Sequence, residues 1–258
     1  MDETPAAIPE PLAVESDGLR LAALLYRPPE GAAAGAVLVC HGAGSRKENH
    51  ADFAGRAVAR GLAALTFDFR GHGESEGAAD DGAEHDVIAG AHALAAAVGA
   101  PWLAARGSSM GAYLALSAAA ARPRLFRRIA ALCPADETAM LAGLDRLERQ
   151  LAARDPGALA FGRWDLAAVR RYYGGRDLAA RVGGLGGVLV VHARDDESVP
   201  FAAGERLYRR LAGPRRLLAV ESGGHTGIQH DAALQEVTLD WIVDVGLVVP
   251  GQTRRAAP

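Results

Sequence analysis

The sequence predicts an α/β protein built on one mostly parallel, twisted sheet of eight strands with helices on both faces. Three observations predict it. Two extended runs flank Asp17-Gly18, a strong hairpin signal. Short, continuous apolar runs then alternate with helix-length stretches. Finally, those runs lack the polar alternation of a half-solvated strand, so they read as strands buried on both faces, as parallel strands are. No repeat of the solenoid kind appears.

The hairpin strands occupy 12–28, and "GAVLVCHG" (35–42) supplies the first strand of the parallel series. Residues 47–60 follow as a helix, with Phe53, Ala57 and Val58 on one face. "LAALTFDF" (62–69) is the next strand, and 84–98 is an alanine-rich helix. "PWLAARG" runs as a strand into a turn, which "GAYLALSAAAAR" leaves as a helix. "RRIAALCP" (127–134), "GGVLVVHA" (186–193) and "RLLAVES" (216–222) complete the strands, with helices near 201–212 and 231–245. Residues 135–182 break this rhythm. They carry a helical stripe at Met140, Leu144, Leu147 and Leu151 together with eight arginines, among them Arg170 and Arg171. An excursion between two sheet strands is read as a small helical lid over a ligand crevice, with a solvated helical connection as the alternative. Its aromatic residues Phe161, Trp164, Tyr172 and Tyr173 either line an acyl pocket or pack the excursion, and packing is the reading preferred. The organisation expected is an N-terminal extension (1–11), a core in two pieces (12–134 and 183–246), the lid insertion (135–182) and a C-terminal tail (247–258).

With 258 residues, half of them hydrophobic, and a net charge of −3, the chain has material for one large core. Its charges do not cluster into the basic face a nucleic acid needs. The start, "MDETPAAIPEPL", has neither the basic nor the apolar segment of a signal peptide, and no run approaches a membrane span. Cys40 and Cys133 sit in apolar runs and are expected as buried free thiols. A cytoplasmic protein with a small-molecule substrate is therefore expected, with no cofactor, no metal, no nucleic-acid or membrane partner, and a homodimer as the assembly admitted.

The chemistry concentrates at "GSSMG" (107–111), a G-x-S-x-G pattern centred on Ser109. A serine on a sharp strand-to-helix turn can be approached closely only if its neighbours are small, and Gly107 and Gly111 supply that room. Ser108 falls outside the glycine spacing and is assigned to packing or a local hydrogen bond. A serine hydroxyl needs a base to take its proton, and that base needs an orienting carboxylate. His225 in "ESGGHTG" follows the last strand, at the sheet edge where the turn opens, and His230 is the second candidate. The acid is expected in "RDDESVP", where Asp196 is chosen; Asp195 is read as a local turn residue, and Asp136 after "ALCP" is a rival. Acyl transfer also needs two oxyanion donors. Met110 N–H, directly after the nucleophile, and Ala43 N–H in "HGAGS" are the candidates, with Gly42 permitting close approach. In "DFRGHGES" (68–75), Asp68, Arg70 and Glu74 are read as scaffold charges bonded to neighbouring loops. His72 has no second ligand at metal spacing, His41 is read as supporting the site, and His85 and His92 as surface residues of a helix.

The succession "CHGAG", "DFRGHGES", "GSSMG", "DDESVP", "GGH" resembles the serine-hydrolase branch of the α/β-hydrolase superfamily from about residue 12 to 245. It is similar to small bacterial carboxylesterases, including cinnamoyl-type esterases, and to the monoacylglycerol-lipase and serine-aminopeptidase-like group. The resemblance implies the α/β-hydrolase fold, a triad of Ser109, Asp196 and His225, oxyanion donors at Ala43 and Met110, and carboxylic-ester hydrolysis through an acyl-enzyme. Those relatives usually carry histidine where this chain has Ser108. The same triad serves amide, thioester and carbon–carbon bonds, and the fold also exists as a non-catalytic ligand binder. Specific substrate-binding residues are left unassigned.

Overall fold

Asp17 and Gly18 both take positive φ (51° and 79°), the geometry a two-residue hairpin turn demands, and they join strand β1 (Glu10–Ser16) to β2 (Leu19–Tyr26). The computed structural model describes residues 8–29 and 33–243. β1 thus begins inside the stretch expected as an extension. Residues 1–7 and the tail expected at 247–258 lie outside the described residues.

Eight strands form one sheet in the order β1-β2-β4-β3-β5-β6-β7-β8. β1 and β2 pair antiparallel, as do β2 and β4 (Leu62–Phe67). β3 (Gly35–Cys40), β5 (Leu103–Ser108), β6 (Arg128–Leu132), β7 (Val188–Ala193) and β8 (Arg215–Val220) continue it in parallel from β4. β3, β4 and β7 are buried at every residue, which is why they read as unbroken apolar runs. The apolar clusters lie on the two sheet faces. One gathers Leu38, Phe67, Leu94 and Leu114 under α2 (Ala83–Val98) and α3 (Met110–Ala121). The other gathers Val37, Phe53 and Leu239 under α1 (Ala51–Ala59) and α10 (Ala232–Val243). This is the α/β-hydrolase fold.

The 47–60 helix begins as a 3-10 turn, Lys47–His50, before α1. The insertion holds four helices, α4 (Glu137–Ala152), α5 (Pro156–Ala160), α6 (Leu166–Gly174) and α7 (Leu178–Arg181). Asp136, Asp155, Asp165 and Asp177 cap them, each accepting first-turn N–H groups. The second half of the insertion is bolted to the core. Arg163 N–H donates to Gly71 O (2.7 Å), and Ala79 exchanges bonds with Arg163 and Asp165. Glu84 accepts from Ser117 Oγ (2.7 Å), Tyr172 Oη (2.8 Å) and Arg176 (3.1 Å). After β7 comes α8 (Phe201–Arg210), and a further short helix, α9 (Gly224–His230), precedes α10. The sequence reading has a loop where α9 lies, because its seven residues contain two glycines and no apolar period.

Candidate active site

Ser109 stands between β5 and α3 with φ 51° and ψ −117°, a conformation that L side chains rarely adopt. The surrounding contacts hold it there. Its N–H donates to Leu132 O (2.9 Å), and its carbonyl accepts from Tyr113 N (3.1 Å) and Ala135 N (3.3 Å). The flanking glycines permit this turn. A Cβ on Gly107 would lie 2.6 Å from Ala112 N, and one on Gly111 would lie 2.2 Å from Cys40 O, so any side chain at either position collides with backbone. Gly42 brings its loop against Ser109, where a Cβ would meet Ser109 Cβ at 3.4 Å. Met110 opens α3, so its N–H is among the first-turn donors with no acceptor inside the helix. Ala43 lines the same cleft as Ser109.

His225 sits in the first turn of α9, its Nδ1 2.8 Å from Asp196 Oδ2. The other oxygen of Asp196 accepts from Ser198 N (2.9 Å) and Val199 N (2.8 Å). Burial alone would raise the Asp196 carboxyl. Hydrogen bonds from His192, His225, Cys133 and Val199 outweigh that effect and hold it far below the usual carboxylate range, so it is ionised. An ionised Asp196 only accepts, so Nδ1 of His225 is the donor and Nε2 is left as the basic nitrogen. Ser109 and His225 line one cleft, and no hydrogen bond joins their side chains among the described residues.

The rivals are engaged elsewhere. Asp136 caps α4 and binds Arg206 (3.0 Å), and His230 ends α9 with its Nδ1 on Asp52 (2.9 Å). Asp195 does not close a turn of its own loop. It accepts from Gly223 N (3.2 Å) and Gly224 N (2.9 Å), fixing the segment that carries His225. Ser108 Oγ is buried without a hydrogen-bond partner, so of the two roles expected for it only packing is seen.

The scaffold reading of "DFRGHGES" matches the contacts. Asp68 accepts from Lys47 N (2.7 Å), Lys47 Nζ (2.9 Å) and Glu74 N (3.0 Å), while Arg70 binds Asp86, Asp80 and Asp17. His41 donates from Nδ1 to Gly42 O (2.7 Å) and accepts at Nε2 from Phe69 N (3.0 Å), so it braces the loop that carries Ala43. Burial holds it neutral, its pKa well below the ordinary value. His85 and His92 are exposed on α2.

Three supporting residues escaped sequence reading. His192, fully buried in β7, bonds Val199 O (2.9 Å) and lies 3.5 Å from Asp196 Oδ2. Arg106, fully buried in β5, lies over Phe53 (4.2 Å to the ring) and donates to Gln229 O (2.7 Å) near the end of α9. Cys133, with φ 40°, sets its thiol beside Asp196, and burial pushes that thiol up so that it stays protonated. Cys133, Asp196 and His225 offer ligand atoms within 4.8 Å of one another, the one such grouping found among the described residues. Two of its members are already spent on the carboxylate–imidazole bond. His192 and Arg106 were faintly visible, because a charged or polar residue inside an apolar strand contradicts its surroundings.

The cleft itself has a volume of about 840 Å³, of the size that holds a small organic ligand. Helix α4 forms one apolar wall with Met140, Leu144 and Leu147, and Phe161 and Trp164 form another. The four aromatics of the insertion therefore divide. Phe161 and Trp164 face the cleft, whereas Tyr172 and Tyr173 pack edge-on against Tyr113 beneath it. No helix among the described residues is long and apolar enough to cross a membrane.

Fold and site together define an α/β hydrolase. Residues 31–159, half of the chain, match the family described as serine aminopeptidase, S33, and the chain belongs to that family. An uncharacterized protein of Mycobacterium tuberculosis is 29% identical over 217 residues, covering 81% of this chain and 69% of its own. Among solved structures, Est1E from Butyrivibrio proteoclasticus with ferulic acid bound superposes with a TM-score of 0.69 at 20% identity, covering 90% of this chain and 97% of its own. The enol-lactonase from Burkholderia xenovorans gives 0.69 at 19% identity, covering 90% and 100%. The Pyrococcus furiosus esterase gives 0.71 at 16%, covering 95% and 94%.

Proposed function

We propose that this chain is a serine hydrolase that cleaves carboxylic esters of small acyl groups through an acyl-enzyme. Ser109 Oγ attacks the carbonyl while His225 Nε2 takes its proton. The same imidazole then protonates the leaving alcohol, and water repeats the sequence to release the acid. Asp196 holds the imidazole in the required tautomer and stabilises the imidazolium. Backbone N–H groups of Ala43 and Met110 receive the charge that develops on the carbonyl oxygen; one such donor typically contributes ~2.7–4 kcal/mol to the transition state. The observation that carries the reading is the 2.8 Å bond between His225 and a strongly acidic Asp196, on a cleft that also exposes a serine held at φ 51°. Ester chemistry is favoured over other acyl transfers by the likeness to an esterase and an enol-lactonase among the structural neighbours.

The test is a fluorophosphonate probe followed by an ester panel. The wild-type protein is expected to be labelled and to hydrolyse p-nitrophenyl acetate and butyrate, and Ser109→Ala to do neither. Equal labelling of both proteins rejects the nucleophile. Faster turnover of matched aminoacyl p-nitroanilides or thioesters keeps the triad and replaces the substrate class.

A further inference from the structure

The cleft has an unusual charge inventory for a chain with 31 acidic and 28 basic residues. No aspartate or glutamate lines it, whereas Arg146 does. That guanidinium forms no ion pair or hydrogen bond among the described residues. The nearest carboxylates in sequence, Asp145 and Glu148, are both spent on Arg170, which clamps them at 2.7 and 2.9 Å from α6. Helical spacing leaves Arg146 without help as well, since the positions three and four residues away are Gly143, Arg149, Ala142 and Gln150. Arg170 faces its own helix pair, and Arg146 is the arginine with a free fork at the cleft.

Helix α4 works as a ruler between the nucleophile and this charge. Its entry is tied to the elbow, because Ala135 N–H donates to Ser109 O (3.3 Å). The cleft wall then runs along Ala139, Met140, Gly143, Leu144 and Leu147, an apolar track with Arg146 beside its far half. Arg146 lies nine positions after Glu137, about 14 Å of helix at ~1.5 Å per residue. Side chains of a helix lean toward its N-terminus, and that end of α4 is the one tied to Ser109.

Resting on the serine-hydrolase reading, we propose that Arg146 selects acyl groups that are apolar next to the scissile carbonyl and carry a carboxylate at their far end. The fork of N–H donors on arginine matches a carboxylate in geometry and charge, and the apolar wall of α4 accommodates the methylene chain between the two ends.

The experiment compares mono-p-nitrophenyl suberate with p-nitrophenyl octanoate, two esters of equal chain length that differ in the terminal carboxylate. The readout is the ratio of their kcat/KM values, in wild type, Arg146→Gln, Arg146→Lys and Arg146→Glu, with Arg149→Gln as a control on the same helix. The ratio is expected to fall about ten-fold or more in Arg146→Gln, to be partly restored in Arg146→Lys, to fall further in Arg146→Glu, and to hold in Arg149→Gln. Added salt is expected to compress it in wild type and in Arg146→Lys, and to leave it unchanged in Arg146→Gln. An unchanged ratio in Arg146→Gln, with octanoate still hydrolysed, overturns the proposal. A second readout is independent of turnover: calorimetric binding of suberate to Ser109→Ala, with and without Arg146→Gln. Binding about ten-fold weaker without the arginine supports the site, and equal binding overturns it. Absence of hydrolysis and of probe labelling, with arginine-dependent suberate binding retained, defeats only the serine-hydrolase reading.

Discussion

The Asp196 carboxylate meets the His225 imidazole at 2.8 Å while its second oxygen is pinned by the backbone of Ser198 and Val199. It therefore acts through direction as well as charge: two oxygens, two opposed sets of donors, one ring orientation. Asp196→Asn keeps the size and the Ser198 and Val199 bonds if the amide oxygen faces them, but turns an NH₂ group toward Nδ1. The proton then moves to Nε2, and the base that Ser109 needs is lost. kcat is expected to drop by ~10⁴-fold with KM little changed. Steady-state kinetics on p-nitrophenyl butyrate checks this, and a loss under ten-fold removes Asp196 from the mechanism.

The strands and the tight turn at Ser109 were readable for one physical reason. Strands buried on both faces have no solvent-facing positions, so they stand out as "VLVVHA"-like runs, and the small residues at Gly107 and Gly111 mark where backbones touch. Tertiary purposes were not readable. Asp195 resembles a turn residue until Gly223 and Gly224 are brought across from the next loop. Lys47, the chain's sole lysine, looks like an ordinary surface charge and is instead buried on Asp68 and Glu74. Arg146 is one of eight arginines in its segment, and only the burial of Met140, Leu144 and Leu147 and the pairing of Arg170 single it out.

The close approach of α3 to β3 predicts a localised failure. Gly111→Ala places a Cβ at 2.2 Å from Cys40 O and 2.4 Å from His41 O, both backbone atoms that cannot rotate away. A cost of about 1–3 kcal/mol or more is expected, together with displacement of the loop that carries Ala43. Gly55→Ala in α1 meets nothing within 4 Å and is expected to be stabilising by about 0.5–1 kcal/mol. Urea denaturation of both variants separates them, and equal midpoints refute the packing argument.

His50 makes stability depend on pH in a window set by its own titration. Burial, reinforced by the charges of Arg106 and His230, lowers its pKa from 6.5 to about 3, and neither ring nitrogen has a hydrogen-bond partner. Between those two values the unfolded chain takes up a proton at His50 that the folded chain refuses. Its contribution is therefore full above the unfolded value and drains away as pH falls toward the folded one. One such group gives a slope of up to about 1.4 kcal/mol per pH unit. His50→Leu removes that slope without breaking a hydrogen bond. Relative to wild type, it is expected to gain about 2–3 kcal/mol on going from neutral pH to about two units below the ordinary histidine value. Chemical denaturation across this range tests it, and parallel curves for the two proteins exclude His50 as the source.

Phe161 partitions the surface around the nucleophile. Its ring stacks on Trp164 (5.8 Å between centroids) and lies over Gly44, where a Cβ would stand 2.0 Å from the ring. It belongs both to the cleft of Ser109 and to a neighbouring cavity of about 410 Å³ bordered by Lys47, Glu74 and Arg163. Phe161→Ala removes the shared wall and joins the two spaces, whereas the loss in stability is moderate because the ring is only half-buried. The kcat/KM ratio of p-nitrophenyl benzoate to p-nitrophenyl acetate is expected to rise several-fold, since the bulky acyl group gains room and the small one gains nothing. Gly44→Ala reaches the same wall from below: at φ 72° it strains the loop and pushes the ring outward, so it is expected to shift the ratio in the same direction while lowering both rates. A ratio that stays at the wild-type value in both variants means that Phe161 packs the insertion and takes no part in choosing the acyl group.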